Sequence, residues 1–256
     1  MKILVASDIA EEGISKLKKE FEVDVKKGIS KEEIMSIIEN YDGVIIRSKP
    51  NITEDIIKKG KNLKVVARAG VGLDNVDVTC CQGCGIKVVN SPQASSESVA
   101  ELAFGLMLAV SRNIARADRL TREKRWEKKS LMGYELNGKT LGIVGFGRIG
   151  RNIGRMAKAC GMNLIAYDPP LTEEQIRAGG AEPVNLQKLI ETSDVITLHV
   201  PLMPSTRHMI SDKQFEMMKN NVIIINTSRG GIIDEDALCR AMKSGKVLGA
   251  GLDVFE

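Results

Sequence analysis

The stretch that most limits how this chain can fold is residues 139–160. An apolar run at 141–144 leads into Gly145-x-Gly147-x-x-Gly150, and a helical pattern follows over 151–160. Gly145 allows a tight turn, Gly147 lets the backbone approach a pyrophosphate, and Gly150 lets the helix pack close to the strand. The helix start adds N–H donors and a positive dipole end for phosphate oxygens. The next apolar run, 163–167, ends at Asp168, 18 residues after Gly150. An acidic side chain there accepts hydrogen bonds from ribose hydroxyls and repels a 2′-phosphate. The pattern predicts a dinucleotide site that prefers NAD over NADP.

Such a loop needs a parallel sheet around it, and the rest of the chain supplies one. Buried-strand runs occur at 3–6, 44–46, 64–67, 87–89, 141–144, 163–167, 195–198, 222–225 and 247–252. Between them, apolar residues recur at helical spacing, as in Ile34, Ile37 and Ile38, or Leu186, Leu189 and Ile190. Alternation of this kind predicts α/β architecture with helices on both sheet faces. One long helix is expected from near Ser95, with Ser98-x-x-Glu101 as a capping box, running through VAELAFGLMLAVSRNIARADRL. It is apolar on more than one side, as helices buried between domains or subunits are. The turn-like NSPQA before it marks a boundary, giving a first unit at 1–97 and a second at 98–256.

Composition closes off other classes. Hydrophobic residues make up 43% and charged residues 27% of the 256, ordinary values for a globular protein. No apolar run reaches the roughly 18 residues of a membrane span. The start, MKILVASDIAEEG, turns acidic at once and reads as cytoplasmic. Lys and Arg exceed Asp and Glu by 37 to 33, a net +4, with the two signs interleaved. No concentrated basic face for nucleic acid is evident. The densest basic stretch, 119–129, reads as a solvated helix or loop. The five cysteines, an odd count, read as free thiols. Cys81-x-x-Cys84 lacks a second pair at zinc spacing, so no metal site is expected.

Two further loops follow strands. Asn226-Thr227-Ser228-Arg229-Gly230-Gly231 comes after 222–225 and puts Arg229 where open parallel sheets bind ligands. Its guanidinium forks two donors onto a carboxylate. The alternative is a surface pair with Asp234. In the first unit, Arg68-Ala-Gly70-Val71-Gly72-Leu-Asp74-Asn75 follows 64–67 and Arg47 follows 44–46. The glycines suit a small anion nest, and the two arginines suit an anionic substrate lying between two domains.

The motifs ARAGVGLDNVD, NSPQASSESVAELAFGLMLA, GKTLGIVGFGRIGR, DVITLHVPLMPSTRH, NTSRGGIIDEDAL and GAGLDVF together resemble the D-isomer-specific 2-hydroxyacid dehydrogenases, from the first strand to the last residue. The resemblance implies two Rossmann-like or flavodoxin-like domains, substrate-binding at 1–97 and NAD-binding at 98–256. It also implies a small 2-hydroxy or 2-oxo acid as substrate. Arg229 matches the catalytic arginine. Gly145, Gly147, Arg148, Ile149 and Gly150 match the pyrophosphate contacts, and Asp168 the ribose contact. Val200, Thr227, Ser228 and Asp253 match positions around adenosine and nicotinamide. Val71 matches a cofactor contact from the first domain. Arg47, Arg68, Gly70, Gly72 and Asn90 match substrate-domain positions. The helix from Ser95 resembles the segment through which the family dimerises.

Residues 47–53 and 125–136 are most similar to the branch that oxidises D-3-phosphoglycerate at the start of serine synthesis. Arg47 and the basic segment 125–129 favour a phosphorylated substrate. A glyoxylate or hydroxypyruvate reductase, or a non-catalytic NAD-binding module like the corepressors of this fold, are the alternatives. In the family, a glutamate lies five residues past the Asp of D-V-F, and a histidine follows. Counting from Asp253, that glutamate falls two residues beyond Glu256. His199 and His208 do not match the proton donor. The expectation is therefore a longer dehydrogenase, with the second domain unfinished here and this stretch inactive by itself.

Overall fold

The structure is a computed structural model that describes all residues, 1–256. It separates into two compact units, Met1–Ser95 and Ser96–Glu256.

The first unit carries strands β1 (Lys2–Val5), β2 (Glu22–Val25), β3 (Gly43–Ile46), β4 (Val65–Arg68) and β5 (Lys87–Asn90). Helices α1 (Glu11–Leu17), α2 (Lys31–Ile37), α3 (Glu54–Lys59) and α4 (Val78–Gly83) join them. Every pairing is parallel, in the order β2-β1-β3-β4-β5. This is the flavodoxin-like doubly wound order, with its switch point between β1 and β3. Leu4, Val44, Ile46 and Val66 from the strands pack with Ile34, Ile56, Ile57 and Cys81 from the helices. β2 was not expected. Its sequence, EVDV, alternates charged and apolar residues with none fully buried, the pattern of an edge strand rather than a buried run.

The second unit opens with α5 (Ser96–Ser111) and α6 (Ile114–Arg122) and then winds a six-stranded sheet. Its elements are β6 (Thr140–Val144), α7 (Arg148–Ala159), β7 (Asn163–Tyr167), α8 (Glu173–Ala178), β8 (Glu182–Pro183), α9 (Leu186–Thr192), β9 (Val195–Leu198), α10 (Asp212–Met217), β10 (Val222–Asn226), α11 (Glu235–Lys243) and β11 (Val247–Leu252). The order β11-β10-β9-β6-β7-β8 is all parallel and is the Rossmann order, reversing between β6 and β9. Alternate residues of β10 serve opposite faces. Val222 and Ile224 join Phe215, Ala237 and Leu238, while Ile223 and Ile225 join Ala103, Met107 and Ile153. β8, also unexpected, is two residues long and contains Pro183 at the sheet edge, where the missing N–H is harmless.

The single long helix does not form. α5 and α6 bend by 63° at Asn113, which is left-handed with φ 55. The returning chain caps the break. Tyr134 N donates to the Ser111 carbonyl at 2.8 Å, and Asn113 Nδ2 donates to the Met132 carbonyl at 3.3 Å. Ser98 sits inside the first turn of α5 rather than capping it. The nearest helix breaker, Pro92, lies well upstream and leaves the helix free to start earlier. No single helix is long and apolar enough to cross a membrane. α5 packs on β10, β11 and α7 through Ala100, Ala103 and Met107.

Candidate functional site

At the switch point of the second unit, β6 ends in a turn that only glycine fits. Gly145 has φ +90, and a Cβ on it would lie 2.7 Å from the His199 carbonyl oxygen at the end of β9. Gly147 is the N-cap residue of α7 and offers no side-chain cap. The space over it is open, since a Cβ there would meet nothing within 4 Å. A Cβ on Gly150 would collide with the Gly145 carbonyl, so the helix start lies directly on the turn. No acidic side chain occupies the first turn of α7. An anion at this end would meet backbone N–H groups and the positive dipole. At the tip of β7, Asp168 Oδ2 accepts from Phe146 N at 2.7 Å. Arg148 is exposed and Ile149 half-buried at the helix start.

Two buried polar atoms at the same sheet edge lack partners, Thr227 Oγ1 and His199 Nδ1. Unsatisfied groups of this kind are costly unless a ligand or water completes them. Together with the open turn and the uncapped helix, they make the residues present a fit for a dinucleotide. The other His199 ring nitrogen, Nε2, lies 2.9 Å from Thr197 Oγ1. Burial pulls the imidazole down to about 4, so it is neutral near pH 7 and unsuited to proton exchange there.

The loop after β10 is stapled by Asn226. Its Oδ1 accepts from Ser228 N at 3.0 Å and Ser228 Oγ at 2.7 Å, and its Nδ2 donates to the Arg229 carbonyl at 2.9 Å. Arg229 Nη1 in turn donates to the Ser228 carbonyl at 2.7 Å. Asp253 N donates to the Asn226 carbonyl at 3.0 Å, which brings the end of β11 alongside. Asp234, the alternative partner for Arg229, instead accepts from Ala237 N at 3.0 Å and caps α11. The sequence reading did not single out Asn226; a buried amide ending an all-apolar strand, VIIIN, was the available signal. Val200 follows β9 and is half-buried.

A second cluster joins residues far apart in sequence. Glu256 accepts from Arg207 and lies 2.7 Å from His208 Nε2. Its carboxyl is held below the usual range, first by the His208 hydrogen bond and then by the Arg207 charge. His208 N donates to the Gly231 carbonyl at 2.8 Å. A Cβ on Gly230 would overlap the Phe255 carbonyl. The chain after β11 therefore presses on the glycines beside Arg229.

In the first unit, the candidate residues gather at the C-terminal edge of β3, β4 and β5. Asn75 Nδ2 donates to the Arg47 and Pro50 carbonyls at 3.0 and 3.3 Å, and Arg68 Nε donates to the Arg47 carbonyl at 3.2 Å. Asn90 Nδ2 donates to the Val71 carbonyl at 2.6 Å. The nest is smaller than expected. Gly70 N donates to the Arg68 carbonyl at 2.9 Å, because the chain turns sharply as it leaves β4. Within residues 70–72, Val71 and Gly72 make no backbone hydrogen bond through their N–H groups. The basic segment 125–129 is also weaker than its charge suggested, since Glu123 and Glu127 both hold Arg125.

Residues 104–256 match the family described as D-isomer specific 2-hydroxyacid dehydrogenase, NAD binding domain. A D-3-phosphoglycerate dehydrogenase of Methanocaldococcus jannaschii is 49% identical over 100% of this chain and 49% of its own length. A hydroxypyruvate reductase of Thermotoga maritima is 53% identical over 93% of this chain and 77% of its own. Among solved structures, a glyoxylate reductase from Paecilomyes thermophila superposes with a TM-score of 0.93 at 33% identity, covering 100% of this chain and 82% of its own. The chain spans about half the length of the D-3-phosphoglycerate dehydrogenases it matches.

Proposed function

The chain belongs to the D-isomer specific 2-hydroxyacid dehydrogenases, with an NAD-binding second unit, and from that premise we propose that the protein oxidises D-3-phosphoglycerate to 3-phosphohydroxypyruvate. The observation that carries the dehydrogenase reading is the open Gly145-x-Gly147 turn on an uncapped helix at the switch point, with the Asn226-stapled Arg229 loop on the same sheet edge. Bound there, the nicotinamide supplies hydride exchange with C2 of the acid. The backbone at Gly145, Gly147, Arg148, Ile149 and Gly150 holds pyrophosphate, and Asp168 holds ribose hydroxyls. Val200, Thr227, Ser228 and Asp253 line the cofactor's path. Arg229 forks onto the substrate carboxylate and fixes the reacting oxygen. Arg47, Arg68, Gly72 and Asn90 serve the acid and its phosphate.

The phosphorylated substrate is supported by identity to the D-3-phosphoglycerate dehydrogenases across the whole chain and by the exposed Arg47 at the tip of β3. A hydroxypyruvate reductase activity has its own support in the 53% identity to a protein of that name. Steady-state turnover of the protein carrying this chain, with NAD(H) and each acid in parallel, separates the two. Higher kcat/KM for D-3-phosphoglycerate bears out the proposal. Higher kcat/KM for hydroxypyruvate or glyoxylate overturns it, and NAD binding without turnover of any acid would favour the non-catalytic module. We also infer a homodimer built on α5 and α6, supported by the exposed apolar side chains of Leu102, Ile114, Trp126, Met132 and Tyr134, and a cytoplasmic setting.

A further inference from the structure

The function leaves one reactive cluster of the first unit unused. Helix α4 and its C-cap hold three cysteines within five residues, Cys80, Cys81 and Cys84. They do not share one environment. Cys81 is buried in the core with Ile34, Ile56 and Ile86. Cys80 is half-buried and Cys84 is exposed. Cys84 N donates to the Cys80 carbonyl at 3.0 Å, so the two residues stand one full turn apart on the same helix face. On the neighbouring α3, Lys58 pairs with Glu54 at 2.5 Å. Asp77 caps the start of α4 by accepting from Cys80 N at 2.9 Å, which holds the turn in place.

Two features of this geometry select the chemistry. On a helix, Cβ atoms one turn apart are about 5–6 Å from each other, whereas a disulfide needs about 3.5–4.5 Å. A direct S–S bond would have to open the turn. A single atom set between the sulfurs would not, because each metal–sulfur or arsenic–sulfur bond adds roughly 2.3 Å of reach. Moreover, no third Cys, His, Asp or Glu stands close enough to complete a metal site. Zinc, which takes four ligands in structural sites, is therefore disfavoured. What fits is a soft centre satisfied by two sulfurs.

We propose that Cys80 and Cys84 form a two-thiol site for thiophilic electrophiles of the trivalent-arsenical class, bridged across the last turn of α4. With an organoarsenic oxide, two As–S bonds form. The oxide oxygen leaves as one water carrying both thiol protons, and nothing is oxidised or reduced. Burial pushes the Cys80 thiol up, so the exposed Cys84 engages first and Cys80 closes the ring. Cys81, pushed up to about 11 by burial, takes no part. The closed ring pins the turn that leads into β5.

Phenylarsine oxide is the probe, with intact-mass spectrometry of the protein as it exists. The expected result is one phenylarsenic added per chain with loss of one water, an adduct that resists excess monothiol and is removed by a dithiol. Cys80→Ser and Cys84→Ser each weaken binding about 100-fold, the scale at which a second, intramolecular attachment contributes. Cys81→Ser, Cys160→Ser and Cys239→Ser keep the monothiol-resistant adduct. A rise in Tm on adding the probe, absent in Cys84→Ser, reports closure even if Cys80→Ser folds poorly. Survival of the resistant adduct in Cys84→Ser, or its loss in Cys81→Ser, overturns the assignment.

Discussion

Three residues of the second unit carry consequences out of proportion to their size. Gly145 has no room for a Cβ against the His199 carbonyl and sits at φ +90. Gly145→Ala should cost about 1–3 kcal/mol of stability and weaken NAD binding, read by urea denaturation and by nucleotide fluorescence titration. Asp168 holds the turn through Phe146 N. Asp168→Ala should lower NAD affinity roughly tenfold, the scale of one charge-assisted hydrogen bond, and narrow the preference over NADP; unchanged titrations with both nucleotides would remove it from the ribose site. His199 contributes through pH. Burial lowers its pKa from 6.5 to about 4, so the unfolded chain binds a proton more readily than the folded one in that window. The stabilisation is complete above pH 6.5 and is lost as pH falls towards 4. Its upper bound is on the order of 3 kcal/mol. Urea midpoints measured between pH 4 and 7 should therefore fall more steeply in the natural protein than in His199→Gln.

At the scale of elements, the strands and helices follow from local chemistry wherever that chemistry is strong. The runs at 141–144 and 222–225 are apolar, β-branched and placed beside turn residues, and each lies within a buried strand. Exceptions occur where the deciding contacts are distant in sequence. β2 and β8 are edge strands with one neighbour each, so their residues carry little of the burial signal that marks a strand. The stretch from near Ser95 through Leu120 reads as one helix by composition, and nothing local demands a break. The segment Met132–Tyr134 imposes it by capping Ser111 and Asn113. Gly133 makes that approach possible, since a Cβ there would sit 2.5 Å from the Ser111 carbonyl oxygen. Gly133→Ala should lower the unfolding midpoint by an amount equivalent to about 1–3 kcal/mol, and an unchanged midpoint would mean that the returning segment does not set the bend.

On the scale of the whole molecule, each unit buries its own core, and α5, α6 and the segment after them expose Leu102, Ile114, Trp126, Met132 and Tyr134. The protein's one tryptophan, Trp126, is 85% exposed there. If this surface mediates dimerisation, tryptophan emission should shift to the blue as protein concentration rises, and Ile114→Asp should yield monomers in sedimentation; a concentration-independent spectrum would argue against it. The sequence by itself determined the α/β class, the all-parallel sheets and the phosphate turn, because strand length, glycine spacing and a terminal acid are local properties of the chain. It also placed Arg229 in the loop just after a strand, since the preceding run had to be one. Only the tertiary structure decided that Asn226 staples that arginine's loop and that Glu256 gathers Arg207 and His208 against the adjacent glycines. It likewise showed that Gly70's N–H is already bonded and that Cys80 and Cys84 share a face that Cys81 leaves. Each of these turns on contacts or burial set by how the elements pack, and spacing along one chain does not encode them.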